Sequence, residues 1–261
     1  MQFLSPSMYL RTFANLMIWL YLALLLFLSL AGGFTPFLFK KFKASWITLL
    51  LAFSGSFLLS ITILHLLPET FEELGHQAGI FVIAGFLLQL LLQRISHGVE
   101  HGHVHTPNTH THTHAIGPIF VGLCIHAFME GIPLGFNYRD EHTIHSLFLG
   151  VAAHKLPEAI TFSSLLLTAH KLPRKYAWVI GFAFVSPIAG LLAMYYGQKF
   201  YFISNLLIYI IPIVSGAFLH ISTTILYESG TRQHELSRQK VVVVLLGFIA
   251  ALLTLLFHVH E

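Results

Sequence analysis

Charge is what this chain has least of. Lys, Arg, Asp and Glu together make up 10% of its 261 residues, against about 25% in soluble proteins, and Asp140 is the single aspartate. So little charge excludes the water-solvated surface of a globular domain. A nucleic-acid partner is excluded as well, because the formal net charge of +3 comes from cations in short clusters between apolar runs and not from a basic stripe. With one cysteine, Cys124, no intrachain disulfide can form.

What the chain has in excess is apolar: 56% of it is hydrophobic. A helix needs about 20 apolar residues to cross a bilayer, and eight runs qualify: 14–38, 46–67, 78–96, 116–137, 144–169, 176–197, 203–227 and 240–258. No soluble domain fits between them. The expected fold is an all-α polytopic membrane protein, one domain over residues 1–261, with eight transmembrane helices in the lipid bilayer. Arg11 and the run ending at Ala31-Gly32-Gly33 look like a secretory signal, yet the apolar run continues to Phe39 and meets Lys40, Lys41 and Lys43. That pattern predicts a first span with its far end in the cytoplasm.

The cations set the orientation. Odd-numbered loops hold Lys40, Lys41, Lys43, Arg94, Lys171, Arg174, Lys175, Arg232, Arg238 and Lys240, whereas the opposite side holds Arg11, Arg139 and Lys199. An excess of ten to three predicts cytoplasmic odd loops and both termini outside, and the expected location is the plasma (inner) membrane.

Inside this grease stand two motifs, His126-Ala-Phe-Met-Glu130-Gly131 in the fourth run and His154-Lys155-Leu-Pro157-Glu158-Ala159 in the fifth. Each places an imidazole four residues before a carboxylate, on one helical face. Counted from their respective ends, both pairs fall some 10 to 14 residues in, near mid-depth. Ionisable groups there cost about 3 kcal/mol each by insertion scales. Two imidazoles and two carboxylates suit a borderline divalent metal: zinc first, with iron(II) or manganese(II) also matching the donors. Metal, and no prosthetic group, is the expected ligand. Lys155 points about 100° from His154 and is expected to pair with Glu130 or Glu158. Three functions use such a site: a metal carrier, an intramembrane metal-dependent hydrolase, and an exporter running the same ligands in reverse. A structural His-Glu network joining two helices is the bland alternative. The hydrolase lacks a His-Glu-x-x-His motif and a serine or aspartate partner at the same depth.

Weaker signals surround the pair. His65 and Glu69 repeat the four-residue spacing at the outer end of the second run, as an entry station, a rim ligand or an interfacial pair. His220 reads as a buried polar contact, Glu228 as an exit group, and Cys124 as packing. Between the third and fourth runs, residues 97–115 carry His97, His101, His103, His105, His110, His112 and His114 among Gly, Thr and Pro. Such a tract cannot preorganise a site; it either collects metal weakly or is a solvated loop without a role. His76, His142, His145, His170, His234, His258 and His260 sit near segment ends, where solvated surface is the default. Pro133 and Pro157 free the carbonyls of Met129 and Ala153, which serve as extra ligands or mark plain kinks, and Pro187 and Pro212 predict breaks in the sixth and seventh runs. Ser54-Gly55-Ser56-Phe57-Leu58 and Ser215-Gly216-Ala217-Phe218-Leu219 share an order in runs of opposite direction. An inverted repeat, with spans one to three mirrored by six to eight around a central pair, leaves such a trace; so do small faces that let helices pack closely.

With these motifs the chain resembles the ZIP (Zrt/Irt-like) metal transporters over essentially its whole length. The fifth-run motif is the most specific part of the likeness and the histidine tract the least. The resemblance implies carriage of zinc, or of iron, manganese or cadmium, into the cytoplasm, with His126, Glu130, His154 and Glu158 as ligands. It also implies a three-two-three inverted-repeat fold whose halves rock about the site, and often a homodimer. Two positions depart from family members that hold a pair of metals, which use Asn after the first histidine and Asn or Asp after the second. Ala127 and Lys155 stand there instead, so one ion is expected.

Overall fold

The computed structural model describes residues 6–39, 44–99, 116–135, 141–169, 172–200, 205–206, 208–229 and 237–256. Among these there is no strand. Apolar runs without water to bond must satisfy each backbone N–H within the segment, and only a helix does so locally. The helices are α1 (Pro6–Leu38), α2 (Ala44–Ile61), α3 (Leu67–Leu74), α4 (Ala78–Ser96), α5 (Ile116–Leu134), α6 (Glu141–Thr168), α7 (Lys175–Lys199), α8 (Ile210–Ser229) and α9 (Arg238–Leu256). Among the described residues five stretches are long and apolar enough to cross a membrane: Leu16–Leu38, Ser45–Ser96, Ile116–Leu134, Lys175–Gly197 and Ile210–Glu228. The second of these is 52 residues long, enough for two crossings at about 20 residues each.

Three boundaries and breaks differ from the sequence expectations. The second run does not stop at residue 67. A π-helical turn, Thr62–Leu66, links α2 to α3, and the Leu67 N–H bonds back to the Thr62 carbonyl. Pro68 follows directly, in the first turn of α3, and the wider turn before it makes room for a residue that cannot donate to the preceding turn. Pro187 lies inside α7, which runs unbroken to Lys199. Pro212 sits in the first turn of α8, which begins at Ile210 and not near residue 203, so it marks an entry and no internal break.

The helices sort into two bundles. α2 packs along α8 and α9, and α4 along α8; α1 packs along α6 and α7, and α5 along α7. The sets {α2, α4, α8, α9} and {α1, α5, α6, α7} meet where α2 faces α6 and α4 faces α5. Small residues set these approaches. A Cβ on Gly216 of α8 would overlap the Val82 carbonyl of α4, one on Gly85 would overlap the Ile213 backbone, and Gly55 of α2 faces Ile225 of α8. Close packing is therefore what both Ser-Gly faces do.

Two apolar cores form, and the site lies between them. One joins Leu25, Leu58, Leu134, Leu147, Val151 and Phe218; the other joins Leu123, Ala127, Ala159, Phe162, Leu166 and Phe182. On α6 the first core ends at Val151 and the second begins at Ala159, leaving His154, Lys155 and Glu158 in the gap. On α5 Glu130 falls between Ala127 of the second core and Leu134 of the first, and His126 stands beside Ala127, one turn before Glu130. Cys124 packs against the second core.

A candidate metal centre

His126 and Glu130 lie one turn apart on α5, and His154 and Glu158 one turn apart on α6. What presses these helices into place is written in the residues that follow each carboxylate. Gly131 backs onto Ser186 of α7, where a Cβ would strike the Ser186 carbonyl, and the Ser186 hydroxyl donates to the Ala127 carbonyl at 2.8 Å. Ala159 backs onto Gly32 of α1. Small residues at 131 and 159 thus let α7 and α1 clamp the far sides while the ligand faces turn inward.

The four side chains are at most 3% exposed, and one donor atom from each lies within 4.8 Å of all the others. His126 Nε2 stands 2.7 Å from Glu130 Oε1 and 3.8 Å from Glu158 Oε1, and His154 Nε2 contacts Glu130 Oε1. A tetrahedral zinc ion with bonds of about 2.0–2.2 Å sets its donors about 3.3 Å apart, so an ion would part Glu130 Oε1 from the two histidines and draw the wider pairs in. At the centre Glu158 Oε1 is buried without a hydrogen-bond partner, and His126 Nε2 has only its close approach to the Glu130 carboxylate. Buried lone pairs of that kind suit a cation.

Hydrogen bonds on the outer nitrogens fix both rings. The Gly150 carbonyl can only accept, so His154 Nδ1–H donates to it at 2.9 Å, and Nε2 is the nitrogen left to face the site and Glu130. His126 Nδ1–H donates to Gln89 Oε1 of α4 at 3.2 Å, with the same consequence. Phe218 stands edge-on to His154 at 5.7 Å between ring centroids.

Lys155 shares the pocket. It is fully buried and pairs with both carboxylates, at 2.8 Å from Glu130 Oε2 and 2.9 Å from Glu158 Oε2, where one partner was expected. Its ammonium also stands 5.1 Å from the centre of the Phe182 ring. Two carboxylates and one ammonium leave the cluster a single formal negative charge.

The other candidates stand elsewhere. His65 lies in the π turn and donates from Nε2 to Thr254 of α9 at 2.9 Å, because the Thr254 hydroxyl itself donates to the Ala251 carbonyl. Glu69 follows on α3, partly exposed. His220 donates to Gln93 Oε1 at 2.7 Å and meets the edge of Phe86. Glu228 lines a recess of about 590 Å³ with Leu90, Leu91, Gln93, Arg94 and His97. His145 is not simply solvated: it is half-buried and hydrogen-bonded to Tyr21 of α1. His101, His103, His105, His110, His112 and His114 lie outside the described residues, as does Asp140. Sequence inspection passed over Gln89, although two amides four residues apart in an apolar run, Gln89 and Gln93, are the signal that marks it. No curated protein matches the chain. The family model described as ZIP zinc transporter matches residues 15–119 and 116–255, and the chain belongs to that family.

Proposed function

We propose that the protein carries zinc into the cytoplasm through a site made of His126, Glu130, His154 and Glu158. Membership of the family makes it an integral membrane protein that transports divalent metal ions, and its members are transporters and not enzymes, which removes the hydrolase. The observation that carries the finer reading is the convergence of four buried N and O donors within 4.8 Å, on two adjacent helices and between two apolar cores. A cation at that depth loses its water, and preset lone pairs replace it.

The eight long helices each cross once in this reading, with the three-two-three order around α5 and α6, both termini outside, and the plasma membrane as location; the ten-to-three excess of cations supports the orientation. All four ligands ride on the bundle of α1, α5, α6 and α7. Movement of that bundle against α2, α4, α8 and α9 opens the site to one side and then to the other. Lys155 keeps the grip reversible. A site of charge −1 becomes +1 with the dication bound, and a carrier must release what it binds.

The test is radiolabelled zinc uptake into proteoliposomes of known orientation. Uptake is expected to fall more than about tenfold in His154→Ala and in Glu158→Gln, as loss of a ligand exceeds the lower bound for loss of an outer-shell partner. Wild-type rates in both variants would remove the site from the mechanism. Transport only outward from loaded vesicles would reverse the direction and favour the exporter.

A further inference from the structure

The two ligand histidines are held by different means. His154 is tied within its own helix, through Nδ1 to the carbonyl of Gly150 four residues earlier. Gly122 stands at the matching position before His126, yet His126 Nδ1 turns to Gln89 Oε1 on α4, in the other bundle. The bonds Tyr21–His145, Ser186–Ala127, His220–Gln93 and His65–Thr254 each stay inside one bundle. The Gln89–His126 bond crosses.

Gln89 is fully buried, and its Nε2 has no hydrogen-bond partner. An amide group is expensive in such surroundings, and the contact with His126 is what Oε1 receives there. From these placements we infer that Gln89 is a positioning residue for the metal site: it holds His126 in the Nδ1–H tautomer with Nε2 turned inward, and it does so only while the two bundles stand as they do here. When α5 moves against α4 this bond breaks, the ring is freed, and the grip on the ion loosens. The inference rests on His126 being a ligand, as proposed above.

A carboxylate can accept a hydrogen bond from Nδ1–H but cannot donate one, whereas methionine matches the length of glutamine and does neither. That difference separates positioning from packing. The measurement is the zinc dissociation constant of the purified full chain in detergent, by competition with a chelator, on variants that elute as the wild type does in size-exclusion chromatography. Gln89→Met is expected to weaken binding by about 10- to 100-fold, the range seen for outer-shell partners of metal ligands, with Gln89→Leu as the substitute if the methionine variant is not monodisperse. Gln89→Glu is expected to bind within about threefold of wild type, since outer-shell carboxylates orient histidine ligands equally well. In a His126→Ala background Gln89→Met should have no further effect, because the group it acts through is gone.

Equal losses in Gln89→Met and Gln89→Glu would overturn the inference in favour of packing. A loss that persists without His126 would overturn it in favour of direct ligation by Gln89. Wild-type affinity in Gln89→Met would overturn it outright. Should His126→Ala and His154→Ala bind zinc as the wild type does, the site itself fails; should they lose zinc while Gln89→Met keeps it, only the role of Gln89 fails.

Discussion

Lys155 Nζ stands 2.8 Å from Glu130 Oε2, on the side of that carboxylate turned away from the two histidines, whose Nε2 atoms meet Oε1. One glutamate therefore faces the ligand cluster with one oxygen and a fixed cation with the other. Glu158 repeats the arrangement, with Oε2 on Lys155 and Oε1 toward His126. The ammonium fills the place between the carboxylates that a second metal would need. Equilibrium dialysis followed by metal analysis should give one zinc per chain. Lys155→Asp, which removes the cation and adds a donor, should raise that to two; two in the wild type would contradict the role given to Lys155.

Removing the ammonium without replacing it strands two buried carboxylates. Breaking a buried ion pair costs about 3–5 kcal/mol. Lys155→Met should unfold at a markedly lower temperature than wild type when metal-free, and zinc should recover more of that loss than it adds to the wild type, by binding the native state alone. Thermal unfolding with and without zinc checks both halves.

Protons compete with the ion for the same imidazole and carboxylate lone pairs, so acid favours the empty site. Zinc affinity is expected to fall steadily from about pH 7.5 to about pH 5.5, the range in which histidine most often titrates. A flat titration of affinity over that range would argue that neither histidine binds the ion.

Gly131 allows α7 to press against the back of α5, where a Cβ would overlap the Ser186 carbonyl. Gly131→Val should force the helices apart at a cost of about 1–3 kcal/mol or more and displace Glu130, its neighbour. Lower thermal stability together with weaker zinc binding is expected, whereas Gly117→Val, with open space around its Cβ position, should change neither.

The sequence makes some of this legible and hides the rest for physical reasons. Apolar runs announce helices because a lipid-facing segment has no other way to bond its backbone, and the four-residue spacing of His126–Glu130 and His154–Glu158 announces shared faces. Proline misleads at 187 and 212, because whether it breaks a helix depends on what the neighbouring turns can absorb, and the π turn at Thr62–Leu66 has no mark in composition. Lys155 was expected to reach one glutamate and reaches both, since the distance between α5 and α6 is set by Gly131 and Ala159 against helices remote in the chain. Gln89 is thirty-seven residues from His126, and no local pattern links them.

The most direct test of the whole account is anomalous scattering from zinc in crystals of the protein. It should place a single ion about 2.0–2.2 Å from Nε2 of His126 and His154 and from an oxygen of Glu130 and Glu158. A lone peak elsewhere in the chain, or a pair of ions bridged by Glu130 and Glu158, would contradict it.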